Sequence, residues 1–314
     1  MVILDKDYNS ILLTKTQELL SELPIELKKN ISSNSWTNKA QANVEKIIKV
    51  NEIITRWKQM SLDISPIPLE KDVYEMCVSV LELDNLCNVL EWRKKISGTS
   101  QDQYSSKLKV ILRMPLTIED EDYSSKNLGR NCLFELNLYI KLLKAGYSVK
   151  LGDNPDISIE KGERKYAIEC KRIFIKNSYE KNIKEAIGQL KKCSLDKTGT
   201  LGVVAIDYSR YFFGENSLTY ADSEEELAIK FREKDSKFAN ETIDSFKRVR
   251  FSSKIPFLLL IHKGVGYVRG IPYSYSWLNI QETDFTRSLK EKKVLLKDFN
   301  MLSESINGKP LVLD

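Results

Sequence analysis

The stretches Asn154-Pro155-Asp156 and Ile168-Glu169-Cys170-Lys171 decide which fold this sequence predicts. Each lies at the boundary of a short run that has the pattern of a β-strand. Side chains alternate between the two faces of a strand, so Glu169 and Lys171 point the same way and Cys170 points to the other face. Two carboxylates and one ammonium group on a single patch can hold a divalent cation and position a water molecule, which suits phosphodiester hydrolysis.

Around these stretches the sequence predicts alternating helices and strands. In chain order, the predicted elements are a helix over residues 128–145, strands over 147–151, 156–160 and 164–172, a helix over 178–193 and a strongly apolar strand over 201–207. A charged helix follows from Ser223 to about Val249, and then two strands over 256–262 and 265–270 that are joined at Lys263-Gly264. We therefore expect an α/β fold whose core has the order helix, three strands, helix, strand.

Residues 1–118 have a different pattern and are predicted to form a mainly helical N-terminal domain, followed by a second domain over residues 119–314. Helical patterns cover residues 11–20, 40–60 and 73–96. The first of these predicted helices ends near Pro24. This N-terminal domain is expected to recognise DNA, to bind a partner subunit or to join copies of the chain as a homodimer or higher oligomer.

The composition limits the class of protein. The chain has 314 residues, 42% hydrophobic and 30% charged, and a formal net charge of +5, which permits a polyanionic partner. Its five cysteines are scattered without a CxxC pair, which indicates reduced thiols in a cytoplasmic protein. There is no signal-peptide pattern and no apolar run long enough to span a bilayer, so no membrane partner is expected.

The presence of a single histidine, His262, excludes several classes of enzyme. Histidine-rich metal clusters, HExxH sites and phosphohydrolases built on a His/Asp pair all need more than that one residue. The chain also lacks the GxxxxGK[ST] loop of P-loop NTPases. If the chain is an enzyme, its carboxylates and lysines must carry the chemistry.

Each acidic candidate, taken alone, also has a structural interpretation. Glu135 falls within an apolar helical stripe, and a carboxylate buried there needs a lysine, a metal ion or a proton as its partner. A structural ion pair would meet this need. Asp156 follows a proline at the start of a strand, which is also a common turn position. Glu169 and Lys171 fit a solvated strand face that carries a cross-strand ion pair. Only their joint order favours a site.

This joint order resembles the PD-(D/E)XK nuclease superfamily, whose fold is restriction-endonuclease-like. The residues that carry the resemblance are Glu135, Pro155-Asp156, Glu169-Cys170-Lys171 and Gln189, within a match over residues 128–207. Some branches of this superfamily also carry a glutamine on the helix that follows these strands. They include the branches that resemble Holliday-junction resolvases and Mrr-type restriction enzymes. The resemblance implies a mixed central sheet flanked by helices, with an αβββαβ core that follows the helical N-terminal domain.

The resemblance also implies a metal-dependent mechanism. Asp156, Glu169 and the backbone carbonyl of Cys170 are expected to ligate Mg²⁺ or Mn²⁺, while the thiol of Cys170 points into the core. Glu135 is expected to act through a water molecule or to help hold a second metal ion. Lys171 is expected to polarise the attacking water and to offset charge on the phosphate, and Gln189 to orient the water or the lysine.

Basic residues are concentrated around these positions. Residues 161–200 contain eleven Lys or Arg against five Asp or Glu. Such an excess is typical of a solvated helix face and also of a surface that contacts phosphates. The candidates for nucleic-acid contacts are Arg172, Lys176, Lys181, Lys184, Lys191 and Lys192.

The leading hypothesis is a metal-dependent DNA endonuclease, acting on duplex DNA in a microbial restriction or anti-phage defence role. Nothing in the sequence separates DNA from RNA or duplexes from single strands. The alternative is a catalytically silent or activator-dependent protein that keeps the nuclease fold and binds or assembles on nucleic acid. The presence of Asp156, Glu169 and Lys171 together favours the enzyme, because three polar groups on one patch are costly to keep.

Overall fold

The computed structural model describes residues 2–3, 6–25, 70–113, 128–173, 178–193, 195, 199–210, 219–249, 251–268, 271–283 and 287–307. Within these ranges the chain is an α/β protein, which confirms the predicted class. The helices are α1 (Lys6–Ser21), α2 (Glu70–Trp92), α3 (Ser100–Leu112), α4 (Leu128–Lys144), α5 (Tyr179–Lys192), α6 (Glu224–Arg248), α7 (Leu289–Lys297) and α8 (Asn300–Asn307). The strands are β1 (Val2–Ile3), β2 (Ser148–Leu151), β3 (Ile157–Lys161), β4 (Arg164–Arg172), β5 (Leu201–Asp207), β6 (Thr219–Ala221), β7 (Phe257–Val268) and β8 (Ile271–Glu282).

The described strands form one mixed sheet. Their order is β1-β8-β7-β5-β4-β3-β2, and the short β6 pairs with the C-terminal end of β7. β2, β3 and β4 form an antiparallel meander, β4, β5 and β7 run parallel, and β8 and β1 are again antiparallel to their neighbours. A parallel pair needs a long crossover connection, and α5 provides it between β4 and β5.

Helices pack on both faces of the sheet. On one face, α2, α3 and α4 share a hydrophobic cluster with the sheet that includes Leu108, Leu136 and Ile168. On the other face, α5 and α6 form a second cluster with the sheet that includes Ile187 and Val204. The central strand β5 is therefore covered on both sides, which explains its nearly continuous apolar sequence.

The predicted core order is observed as α4, β2, β3, β4, α5 and β5. β4 and β5 begin and end at the predicted residues, and the ends of the other four elements differ from the predictions by at most one residue. These six elements bring the stretches around Asp156 and Glu169 onto neighbouring strands, β3 and β4.

The prediction of two strands joined at Lys263-Gly264 is wrong. Both positions lie inside the single strand β7, which forms a hairpin with β8. A Cβ atom on Gly264 would lie 2.8 Å from the side chain of Phe231, and one on Gly266 would lie 2.5 Å from that of Leu227. These glycines therefore allow α6 to approach the strand closely and do not form a turn.

The described part of the N-terminal region consists of the short strand β1, which joins the sheet, and of helices that share a hydrophobic cluster with it. The first and third predicted helices correspond to α1 and α2, and the sequence patterns do not predict α3. The second predicted helix, over residues 40–60, lies outside the described residues, and so does the predicted boundary at residue 118. No helix among the described residues is long and apolar enough to cross a membrane. The cysteines whose side chains are described, Cys87, Cys132, Cys170 and Cys193, are free thiols.

Candidate active site

Asp156 and Glu169 meet at the point where β3 begins. The last Cα pair between β3 and β4 joins Ile157 to Ile168, so the register places Asp156 beside Glu169 one position further on. Both side chains are buried, with exposed fractions of 8% for Asp156 and 1% for Glu169. The charge of Asp156 raises the pKa of Glu169, so the two carboxyl groups lie close to each other. The two carboxylates predicted to share a cation therefore do converge.

Cys170 contributes its main chain to the same place. Its side chain is buried in the hydrophobic cluster on the α4 face, in agreement with the prediction that the thiol points into the core. Its backbone N–H donates a hydrogen bond to Asp156 Oδ2 at 2.8 Å. The N–H and C=O of one strand residue point to the same side, so the carbonyl oxygen of Cys170 also faces Asp156.

Lys171 lies between two carboxylates. Its Nζ is 3.2 Å from Glu169 Oε1 on β4 and 3.4 Å from Glu185 Oε1 on α5. Only 14% of the Lys171 side chain is exposed, whereas the Glu185 side chain is 55% exposed. The ammonium group is thus held at the rim of the cluster, with the buried acids on one side and solvent on the other.

Glu135 has a partner that the sequence patterns do not identify. Lys107 Nζ, on α3, donates a hydrogen bond to Glu135 Oε2, and both side chains are about 10% exposed. The same face of α3 is fixed by Ser100 Oγ, which accepts a hydrogen bond from the N–H of Leu151 at 3.1 Å. A lysine of the N-terminal region therefore belongs to the site. Lys107 follows Ser100 by seven residues, so the two lie on one face of a helix. This spacing is the only signal in the sequence that could have indicated that Lys107 belongs to the site.

Burial raises the pKa values of all three carboxyl groups, and the charge of Asp156 adds to this effect at Glu169 and Glu135. Burial and then the charge of Asp156 raise the pKa of Glu169 to about 8 and that of Glu135 to about 7. Burial also raises the pKa of Asp156, although the N–H of Cys170 and two lysines oppose it. Burial lowers the pKa of Lys107, but the charges of Glu135 and Asp156 more than offset this, so the pKa of Lys107 is raised. The environment of the cluster therefore disfavours the charged forms of Glu135 and Glu169.

Two buried acceptor atoms at the site lack a hydrogen-bond donor. They are Glu169 Oε2 and Gln189 Oε1. Gln189 lies on α5. On the same face of this helix, Glu185, which contacts Lys171, lies one turn before Gln189, and Cys193 follows it one turn later. Cys193 Sγ is 3.1 Å from Asn154 Oδ1, beside Asp156. A cation or an ordered water molecule would satisfy such acceptors.

The donor set fits a hard divalent cation. Across the described ranges, no three His, Cys, Asp or Glu side chains lie close enough to form a metal site by themselves. Mg²⁺ does not need three, because it retains several water ligands and is commonly held by one or two carboxylates. Asp156, Glu169 and the carbonyl of Cys170 supply that set of oxygen atoms, whereas Glu135 is held by Lys107.

The predicted nucleic-acid contacts fall on two faces of the molecule. Lys181, Lys191 and Lys192 are exposed on α5, as is Lys184, which also pairs with Glu180. The Nε of Arg172 pairs with Asp207 Oδ2 at 3.1 Å, on the strand face opposite to Lys171. Lys176 lies outside the described residues. The structure thus brings only the α5 lysines together on the Lys171 face of the sheet.

Comparison with protein-family models, with curated proteins and with solved structures finds no match for this chain. A function therefore has to be inferred from the chemistry of the residues themselves.

Proposed function

We propose that this protein is a metal-dependent nuclease that hydrolyses DNA phosphodiester bonds, with the restriction-endonuclease-like fold of the PD-(D/E)XK superfamily. The observation that carries the proposal is the convergence of Asp156, Glu169 and Lys171 at one end of the β3–β4 pair. Structural ion pairs do not account for it, because the acids outnumber the lysines and Glu169 Oε2 lacks a donor. Strongly perturbed carboxyl groups of this kind are typical of functional sites.

Each group has a role that follows from its position. A divalent cation held by Asp156, Glu169 and the carbonyl of Cys170 would lower the pKa of a water molecule and stabilise negative charge on phosphate oxygens. In hydrolysis that water attacks phosphorus and the bridging P–O bond breaks, so charge increases on the non-bridging oxygens. Lys171 stands at the exposed rim of the cluster, where its ammonium group can orient the water and stabilise this charge.

Gln189 and Lys107 support this arrangement from the two flanking helices. The free Oε1 of Gln189 can accept a hydrogen bond from the attacking water and so fix its orientation. Lys107 holds the carboxylate of Glu135 and keeps it available to water beside Asp156. Glu135 acts through water in this scheme, because its Oε2 is already bound to Lys107.

The exposed surface of α5 is basic, which suits a polyanion. A groove of about 350 Å³ lies between α5 and the end of α6, and it is lined by Lys184, Lys191 and Arg248 together with apolar residues. Lys181 and Lys192 are exposed on the same helix. Lysines on the exposed surface of this helix can contact the phosphates of a nucleic-acid backbone. A microbial restriction or anti-phage defence role would make use of such a nuclease.

We expect the purified protein to nick or cut supercoiled plasmid DNA when Mg²⁺ or Mn²⁺ is present, and EDTA to abolish this cleavage. The reason is that the proposed mechanism depends on a cation to lower the pKa of the attacking water, and Asp156 and Glu169 are its proposed ligands. Cleavage is measured on agarose gels as loss of supercoiled plasmid. Single-stranded DNA, branched DNA and RNA are assayed in parallel to define the substrate.

Cleavage that persists in EDTA would contradict the metal-dependent mechanism. Absence of cleavage on every substrate, from a folded protein that still binds DNA, would favour the alternative of a catalytically silent nucleic-acid-binding protein.

A further inference from the structure

A second polar cavity lies on the opposite side of β4 from the carboxylate cluster. It is formed between α2 and α4 and the C-terminal ends of β4 and β5, with part of β7. Its volume is about 60 Å³ and it is partly open to solvent. Leu81, Phe134 and Ile261 contribute apolar walls. Electrostatic interactions are stronger beside such walls than in open water, because the local dielectric constant is lower.

The charged residues that line this cavity are mainly basic. They are Arg130, Lys141, Arg172 and Lys263, against the single carboxylate of Asp207. That carboxylate is already committed, because Asp207 Oδ2 accepts a hydrogen bond from Arg172 Nε at 3.1 Å and Oδ1 accepts one from the N–H of Ser209 at 2.9 Å. The basic side chains that line the cavity therefore outnumber the single acidic one.

Lys141 and Lys263 place two ammonium groups close to each other in this cavity. Burial and the like charge of Lys263 lower the pKa of Lys141 to about 7, although Asp84 and Asp207 act in the opposite direction. Lys263 Nζ also donates a hydrogen bond to Asn85 Oδ1. Two ammonium groups crowded in this way cost free energy in the ligand-free protein, and a bound anion would remove that cost.

We propose that this cavity binds the phosphate group of a phosphate monoester through Arg130, Lys141, Arg172 and Lys263. A phosphate monoester carries a charge of about −1.5 to −2 near neutral pH, which matches four cations and one acid. Guanidinium groups match phosphate oxygens in bidentate geometry, and lysines add point charges. The hydroxyl of Ser209 and the amide of Asn85 line the same space.

The size of the cavity limits which part of the ligand enters it. A water molecule needs about 10–15 Å³ on the same measure, so about 60 Å³ holds a phosphate group but not a nucleobase. The rest of the ligand would extend through the open side. Two sources present such a group: the 5′-phosphate at the end of a nucleic-acid strand, and a free mononucleotide or phosphate ion. Phosphate binding here requires no hydrolysis at the carboxylate cluster.

Isothermal titration calorimetry in EDTA tests the site without any cleavage. The ligands are inorganic phosphate, a nucleoside 5′-monophosphate, and one short oligonucleotide prepared with a 5′-phosphate and with a 5′-hydroxyl. We expect saturable binding of at least one phosphate monoester, and we expect Lys141→Met and Arg130→Met each to weaken it at least about tenfold. Lys293→Met, at an exposed lysine of α7, is the matched control and should bind as wild type does.

Lys141→Met also separates a binding role from a structural one. The variant removes one of two crowded ammonium groups, so its melting temperature without ligand should equal or exceed that of the wild type. A preference for the 5′-phosphorylated oligonucleotide over its 5′-hydroxyl form would identify a strand end as the source, and tighter binding of the mononucleotide or of phosphate would identify a free ligand. No binding beyond a chloride control of equal ionic strength, or wild-type affinity in a folded Lys141→Met or Arg130→Met variant, would overturn the proposal.

Discussion

Lys171→Met is expected to lower the rate of plasmid cleavage by about 10²–10³-fold, the cost of removing one group that stabilises charge in a transition state. Methionine keeps most of the volume of the lysine side chain and removes only its charge and its hydrogen bonds to Glu169 and Glu185. Affinity for Mn²⁺ should not fall, because the proposed ligands stay in place and a nearby positive charge is lost. The measurements are single-turnover cleavage rates and calorimetric Mn²⁺ titrations.

Lys165→Met is the matched control for this variant. Lys165 lies on the same strand, its side chain is 60% exposed, and it pairs only with Glu160 at the surface. Cleavage by this control should stay within about twofold of the wild type, since exposed ion pairs contribute little. Equal rates for Lys171→Met and Lys165→Met would remove Lys171 from the mechanism.

Glu169→Gln is expected to abolish metal binding and to stabilise the metal-free protein. Glutamine has nearly the same shape, and its amide N–H can donate to the adjacent carboxyl group of Asp156. Loss of one of two carboxylate ligands should weaken Mn²⁺ binding by about 100-fold or more, and cleavage should be lost with it. Mn²⁺ should then raise the melting temperature of the wild type and leave that of the variant unchanged.

The effect of this variant on stability depends on pH in a defined direction. Glu169 has a pKa of about 8 in the folded protein, against about 4.3 in an unfolded chain. Between these values the folded state binds more protons than the unfolded state, so the free energy of unfolding of the metal-free protein falls as pH rises. Glu169→Gln should reduce this fall, and the gain in stability over wild type should reach its full size above about pH 8.

Glu160→Gln provides the control, because Glu160 is an exposed glutamate on the adjacent strand β3. Urea unfolding at several pH values, with and without Mn²⁺, measures both effects. If Glu169→Gln keeps the Mn²⁺-induced shift in melting temperature, Glu169 is not a metal ligand.

Local sequence pattern was sufficient to predict the elements that carry the site. The buried run over residues 166–170 of β4, the apolar run of β5 and the stripe of Ile183, Ala186 and Leu190 on α5 are each set by burial against the core. Where burial alone determines a pattern, the pattern identifies the element. The positions of Asp156 and Glu169 on adjacent strands followed from this order.

Long-range contacts were not predictable in the same way. Lys107 reaches Glu135 across 28 positions, and the sequence patterns did not predict its helix, α3. His262 is fully buried, with its Nδ1 2.9 Å from Asp235 Oδ1 and 3.0 Å from the hydroxyl of Tyr208. In these cases the partner is brought near by tertiary packing, which local periodicity does not encode.

The two sides of β4 illustrate the same limit at adjacent residues. Lys171 and Arg172 were both assigned to nucleic-acid chemistry, but strand alternation places them on opposite faces. Lys171 joins the buried acids, whereas Arg172 joins a cavity whose other members come from four separate segments. A count of basic residues along the sequence cannot distinguish these two environments.

The most direct test of the proposed metal site is the anomalous scattering of manganese from crystals of the wild-type protein soaked in Mn²⁺. We expect the strongest anomalous peak to lie in contact with the carboxylates of Asp156 and Glu169 and the carbonyl oxygen of Cys170, and to disappear in Glu169→Gln crystals. A peak held by other residues, or no peak at this site in a protein that cleaves DNA with Mn²⁺, would contradict the assignment of these residues as the catalytic metal site.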